Sequence, residues 1–489
     1  MFTTQEISQL IEQAKEIALE KFKNNLYEEA ELVLEYSLKV QPENIEILQL
    51  MGLTQYRLGK FDCAIKFFEN ALKNDAKNTE NYSNIALCYS STGKYQKAIS
   101  YLEKAIQLNP EHSYLYSNIG LQYRNIGNLE KAIECFKKSN SICEKETTWA
   151  MMGGCFGERK QLKEAEECLK KSIEIKPDFA AAHVDLASVY HLQGKWDQAW
   201  KEYEWRTEVY DQLKFWNNIL DPEKKWKQEC LDGKIILIHE EQGSGDTINF
   251  FRYISLVKKL GAHIILCCNS SLEKLFKNQV DEIFIVDAST KKMPEHDYHC
   301  SVLSLPYLLD NPIIPDCPYL FANKTNMDDY KGFYKIGIAW AGNPQHSNDF
   351  YRSCKLSNFK NIHDIPKVKL FSLVKDTRPR AYRFNPDPVD LTENCENMKI
   401  VDMRERMENY QDTAEIINYL DLIITVDTSI LHLAGALNKA TYGLLPYNAD
   451  WRWELEGEKT VWYPSVRLFR QKSSRDWNSV FSEVEKLIK

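Results

Sequence analysis

Alanine returns at a fixed step through the first 210 residues: Ala30, Ala64, Ala98, Ala132, Ala165 and Ala199, at spacings of 34, 34, 34, 33 and 34. Glycine stands five residues earlier at Gly59, Gly93, Gly127 and Gly194, and Pro42, Pro110 and Pro177 close three of the units. The stretches GKFDCAIKFFENAL, GKYQKAISYLEKAI and GNLEKAIECFKKSN carry apolar residues at helical spacing. A unit of this length reads as two amphipathic helices, with the glycine in the turn and the small alanine where the helices cross. One such pair cannot bury its apolar face alone, so successive units must stack into an α-solenoid. Six units are visible, the first and last less regular.

In period and key positions this resembles the tetratricopeptide repeat. The resemblance implies a superhelix whose concave groove is lined by the first helix of each unit. The middle position of that helix holds Asn84, Asn118 and Asp185, with Leu50 and Met151 at two equivalent places. An asparagine amide both donates to and accepts from an extended backbone. A similar asparagine ladder holds protein substrates in the eukaryotic O-linked N-acetylglucosamine transferase. Asn84, Asn118 and Asp185 are therefore the candidate acceptor-groove residues, with ordinary polar groove residues as the equal alternative. The region to 213 carries 26 basic and 32 acidic residues, so its groove is no obvious trap for acidic peptides.

The net charge of -8 over 489 residues argues against nucleic acid as a partner. MFTTQEISQL lacks the basic and apolar regions of a signal peptide, and no apolar run reaches membrane-spanning length. Thirteen cysteines without CxxC spacing read as reduced, mostly buried thiols of a cytoplasmic protein. Cys267 and Cys268 should point to opposite faces of a strand. His296 and His299 read as surface histidines, and no metal site or cofactor is expected.

The second half changes rhythm. Strand-like runs lie at 234–239, 263–267 and 282–286. A Pro-rich loop from Pro306 to Pro318 follows, then runs at 335–341, 368–373, 421–426, 440–445 and 466–470. Strands alternating with helices imply parallel, doubly wound sheets. The expected layout is a solenoid over 1–213, an aromatic and packed connector over 214–232, and two Rossmann-type lobes over 233–320 and 333–489. Ligands of such sheets bind beyond the carboxyl ends of the strands.

Three motifs fall there. HEEQGSGDTINFFRY follows the first strand, and its Gly243 and Gly245 should let backbone approach a ligand, with a helix starting at Thr247. It lacks the third glycine of the dinucleotide fingerprint, and GxxxxGK[ST] is absent from the chain. Asp246 either caps the helix or takes a proton from an acceptor hydroxyl; the helix start should lower its pKa. DLIITVDTSILHLAGAL places Asp427, Thr428, Ser429 and His432 at a helix start suited to an anion, with capping by Asp427 and helix packing by His432 as the bland alternatives. AWAGNPQHSNDFYRS offers Asn343 and Arg352, the latter either a phosphate cation or a surface arginine.

In this order the motifs resemble the ADP-heptosyltransferase family of GT-B glycosyltransferases, over roughly 230–475. GSGD and Asp427-Thr428-Ser429-Ile430-Leu431-His432 carry the likeness. Closer still are bacterial proteins that fuse such repeats to a GT-B half, for which EEQGSGDTINFFRY, AWAGNP and PYNADWRW look typical. The resemblance implies a metal-independent, inverting glycosyltransferase with a nucleotide-sugar donor on the second lobe. Asp246 would be the base. Gly243, Gly245, Asn343, Arg352, Asp427, Thr428, Ser429 and His432 would lie at the donor. A protein acceptor, flagellin-like by the same resemblance, would thread from the repeats, and the final helix near Trp477 to Ile488 would pack back across both lobes. Two other readings stand beside it: a non-enzymatic adaptor with a degenerate GT-B module, and a transferase acting on a glycan or lipid.

Overall fold

The computed structural model describes residues 4–488 apart from Ala288, 311–315, 324, 326, Ser347, 377–379, 383–384 and 393–396. Part of the Pro-rich loop expected at 306–318 thus lies outside the described residues. By contact the chain forms two compact units, the first ending at Phe179 and the second beginning at Ala180.

The first unit is built from helix pairs, from Thr4–Lys23 with Tyr27–Val40 to Glu146–Glu158 with Leu162–Ile175. Ala30, Ala64, Ala98, Ala132 and Ala165 are each 0% exposed, so the repeating alanine does sit at a closed helix crossing. A second size match fixes the pairs of the second and fourth repeats. Gly52 and Gly120 face the rings of Phe68 and Phe136, and a Cβ on either would come within 2.7 Å of ring carbon. In the third repeat the ring is replaced by Leu102, and the facing residue grows to Ala86. The turn between paired helices needs a left-handed residue. Gly59, Gly93 and Gly127 supply it at φ of 74°, 72° and 78°. Asn25 and Lys160 adopt the same region at 61° and 60° in the two repeats without a glycine. The first helix of several pairs opens on an asparagine cap: Asn44 and Asn78 accept from the backbone N–H three residues on.

The sixth helix pair, Ala180–Leu192 and Trp196–Tyr203, belongs to the second unit. Its Val184, Ala187, Trp200 and Tyr203 join one apolar core with the strands that follow. The segment that follows packs on the first sheet. Leu213 and Trp216 of its Asp211–Ile219 helix, with Leu220 just after it, pack on Leu237 and Ile265 of the first sheet.

Two parallel sheets follow. The first has the order β3-β2-β1-β4, with β1 Ile235–His239, β2 His263–Cys268, β3 Glu282–Ile285 and β4 Tyr298–Ser301. The second has the order β12-β11-β10-β5-β6-β9. Its strands are β5 Tyr334–Ala339, β6 Val368–Ser372, β9 Val401–Asp402, β10 Leu422–Val426, β11 Thr441–Leu445 and β12 Val466–Arg470. β7 Arg380–Tyr382 and β8 Asn385–Val389 form a separate pair. β1 and β10 are flanked by a strand on either side and are made almost wholly of apolar residues, as strands covered on both faces must be. Cys267 and Cys268 fall into different apolar clusters, on opposite faces.

Two expectations need correction. His299 is not a surface histidine: it lies buried on β4, within hydrogen-bond distance of the Asp221 carbonyl at 2.9 Å. The final helix, Trp477–Ile488, is seated on the second sheet's half, with Phe481 edge-on to Phe359 at 4.8 Å and Trp477 Nε1 donating to the Ser353 carbonyl at 3.1 Å. Among the described residues no helix is long and apolar enough to cross a membrane.

The glycine–ring match gives a direct test. Gly120→Ala should destabilise the repeats by about 1–3 kcal/mol through overpacking against Phe136. Ala86→Gly should cost only about 1 kcal/mol. Chemical denaturation of both variants checks the order.

Candidate functional site

The loops at the carboxyl ends of β1, β5, β6, β10 and β11 converge on one cavity of about 770 Å³. Gly243, Gly245, Asp246, Asn343, Arg352, Asp427, Thr428, Ser429 and His432 all line it. Asn84 and Asn118 lie elsewhere, on successive repeats of the first unit, where Asn118 Nδ2 donates to Ser83 Oγ at 3.3 Å. Asp185 is exposed on the Ala180–Leu192 helix and is not part of the cavity wall.

The loop after β1 is held from below. Glu241 is buried and receives Arg206 Nε at 2.7 Å and Nη2 at 2.9 Å, in a bidentate pair. Arg206 is itself fully buried and also reaches Ser304 Oγ at 2.8 Å. Gln242 takes the left-handed turn at φ 61° and donates to Tyr203 Oη at 2.8 Å. The helix then begins at Ser244, not Thr247. Gly243 and Gly245 do not serve unusual dihedrals; neither has a positive φ. Gly245 is needed for a close approach to protein: a Cβ there would stand 3.2 Å from Ser429 Cα and 3.1 Å from His432 Cδ2. The two motif helices therefore abut, one from each sheet.

Asp246 has both oxygens engaged. Oδ2 accepts from Gly243 N at 3.2 Å, which is the helix-capping arrangement, and Oδ1 lies 2.7 Å from Arg452 Nη2. The expected lowering of its pKa by the helix start is overturned. Burial raises it, and Arg452 and the Gly243 N–H only partly offset that.

On the opposite wall, the N-cap of the Ser429–Ala436 helix is Thr428, whose hydroxyl accepts from Ile430 N at 3.3 Å. Asp427 is therefore not the cap. It faces the cavity, where burial and the neighbouring Asp450 push its pKa up to about 6 against the pull of Arg352. Ser429 Oγ accepts from Tyr410 Oη at 2.9 Å. His432 is buried, stacked on Trp453 at 5.2 Å, with Nδ1 3.0 Å from Tyr463 Oη. Burial, reinforced by three arginines, holds its pKa far below the usual value, so the ring is neutral. Arg352 is no surface arginine. Its Nη1 donates to the Asp427 carbonyl at 3.0 Å, and Gly342 leaves room for its Nη2, 2.6 Å from where a Cβ would stand. Asn343 sits at the rim, its Oδ1 turned to Gln345 N.

Sequence reasoning missed Arg452. It lies in PYNADWRW, where a cation flanked by tryptophans in a loop after a strand was the available signal. Arg452 is buried, anchored by Asp450 at 2.8 Å and stacked over Trp451 at 4.3 Å. Its Nε and Nη2 make no hydrogen bond among the described residues, so the contact to Asp246 is ionic and off the hydrogen-bond line.

Comparison with known proteins places the repeats. A family described as Tetratricopeptide repeat protein 21 N-terminal ARM repeat matches residues 62–200, and a tetratricopeptide repeat family matches 45–78. Similar solved structures include a thermophilic TPR protein of Thermus thermophilus, 20% identical, covering 37% of this chain and 98% of that one, TM-score 0.32. Another is MamA of Desulfovibrio magneticus, 22% identical, covering 35% and 96%, TM-score 0.32. The pilF protein of Pseudomonas aeruginosa is 16% identical, covering 43% and 98%, TM-score 0.37. No curated protein matches. The chain is a helical-repeat protein with a tetratricopeptide-like solenoid of about 12 helices, followed by parallel-sheet α/β structure.

The raised pKa of Asp427 gives a signed prediction. A carboxyl whose folded pKa lies above its unfolded value of about 3.9 costs stability as pH rises through about 6, and nothing below about 4. Asp427→Asn should therefore raise the melting temperature at pH 8 and leave it unchanged at pH 4. A pH series of thermal melts reads this directly.

Proposed function

We propose that the second unit is a GT-B-like glycosyltransferase that moves a sugar from a nucleotide-sugar donor to a hydroxyl, metal-independently and with inversion. The single observation that carries this is the convergence of Asp246 from one parallel sheet and the 427–432 helix start with Arg352 from the other, on one cavity. The likeness of GSGD and D-T-S-I-L-H to the ADP-heptosyltransferase motifs supports the same reading. In the reaction, Asp246 takes the proton of the acceptor hydroxyl and the oxygen attacks the anomeric carbon. The bond from that carbon to the diphosphate breaks, and its electron pair leaves with the nucleoside diphosphate. Arg352 and the N–H groups at the start of the 429–436 helix meet the growing negative charge. Neutral His432 serves as a hydrogen-bond partner, not as a cation. The raised pKa of Asp246 suits a base better than an ordinary exposed aspartate.

The repeats fit the role of acceptor platform. Asn84 and Asn118 lie on consecutive repeats, and the acceptor in this reading is a protein segment, flagellin-like by the resemblance. One observation favours the adaptor reading instead: both oxygens of Asp246 are already occupied, one by a cap and one by Arg452.

Thermal-shift titration with nucleoside diphosphates and nucleotide sugars separates the two. A ligand that binds only the folded state raises the melting temperature. The enzyme reading expects one nucleotide to stabilise the protein and Arg352→Gln to weaken that by about tenfold or more. It also expects Asp246→Asn to lose transfer at least about a hundredfold while retaining nucleotide binding. Stabilisation by no nucleotide sends the cavity to the adaptor reading.

A further inference from the structure

We propose that Arg452 is an anion-binding gate on Asp246: it gives up the Asp246 carboxylate to an incoming diphosphate and thereby releases the base only when donor is in place. The inference rests on the transferase reading of the same cavity and assigns Arg452 a role the motif resemblance does not supply.

Geometry carries it. Arg452 is 5% exposed and lines the cavity, yet only one of its nitrogens is satisfied as a side-chain donor. Nη1 is fixed on Asp450 Oδ1 at 2.8 Å, and the backbone N of Arg452 donates to the same oxygen at 3.0 Å. Trp451 and Phe250 hold the guanidinium plane, with centroids 4.3 and 5.5 Å away. The stem and one edge are thus locked. The other edge, Nε and Nη2, is buried and finds no hydrogen-bond acceptor among the described residues, only the ionic contact of Nη2 with Asp246. A buried guanidinium with an open edge is costly unless something takes it. The bidentate fork of that edge matches a phosphate better than the off-line carboxylate it now touches.

The consequence for Asp246 follows from what surrounds it. The charged groups that face it are Arg452, Asp450 and Glu241, together with the Gly243 N–H. His432 stands close to Gly245, one residue away, and is neutral. Among these described groups Arg452 carries the positive charge. Once a phosphate claims its open edge, burial and two carboxylates remain, and the proton affinity of Asp246 rises. The chain would then hold a weak base without donor and a competent one with it.

The test uses inorganic pyrophosphate as probe, titrated calorimetrically into the full chain at pH 6 in two buffers of different ionisation enthalpy. This reads affinity and proton uptake together. The exchange predicts net proton uptake on binding by wild type. Asp246→Asn should bind pyrophosphate several-fold more tightly, because the competitor for Arg452 is gone, and should take up fewer protons; the probe's own protons and those of Asp427 are common to both proteins. Arg452→Lys, which keeps the charge but loses the fork, should weaken binding by about tenfold. Melting curves establish that each variant is folded, and because Asp246→Asn is isosteric it carries the result if Arg452→Lys unfolds. Equal affinity and equal proton uptake in wild type and Asp246→Asn overturn the gate while leaving the cavity an anion site. Failure of wild type to bind either pyrophosphate or any nucleoside diphosphate overturns the transferase reading, and the gate with it.

Discussion

The pair formed by Arg206 and Glu241 is the contact on which the second unit depends. Both side chains are fully buried, and two hydrogen bonds of 2.7 and 2.9 Å join them. Removing one partner of such a pair leaves an uncompensated charge in the interior, at a cost of about 3–5 kcal/mol. Arg206 ends the last repeat, and Glu241 lies five residues before Asp246. A displacement of that pair would carry the whole EEQGSGD loop with it. The neighbouring Gln242–Tyr203 bond ties the same two segments a second time. A helical repeat has thus become the footing of a loop between strand and helix.

The solenoid was legible because its signal is redundant. Each alanine, each turn glycine and each apolar stripe repeats the same instruction, and the structure places the described alanines at closed crossings. The strands of both sheets were legible for the same kind of reason, since β1, β2, β5 and β10 are largely apolar runs. β4, with the sequence YHCS, and the two-residue β9 were not. Each forms because a neighbour supplies a ladder, β1 for β4 and β6 for β9, and no local pattern announces that.

The cavity residues divide along the same line. Those beside a motif glycine or at a strand end can be singled out from sequence, because backbone chemistry marks such places. Arg452 was not singled out, because the carboxylate it reaches across the cavity, Asp246, is some two hundred positions away in sequence. The pKa of Asp246 was misjudged for a related reason. A helix start is visible in sequence and pulls a carboxylate down; the wall that desolvates it is assembled from five loops and pulls harder.

The boundary between the two units has a consequence for how a chain like this can change over time. A repeat array lengthens and shortens by duplication and loss of whole units, since each unit contacts only its neighbours. Here the sixth helix pair shares a core with the sheets and carries the footing of the site loop, so it is withdrawn from that traffic. The five pairs before it remain interchangeable parts. Gain or loss among those five pairs leaves untouched the core that the sixth pair shares with the sheets.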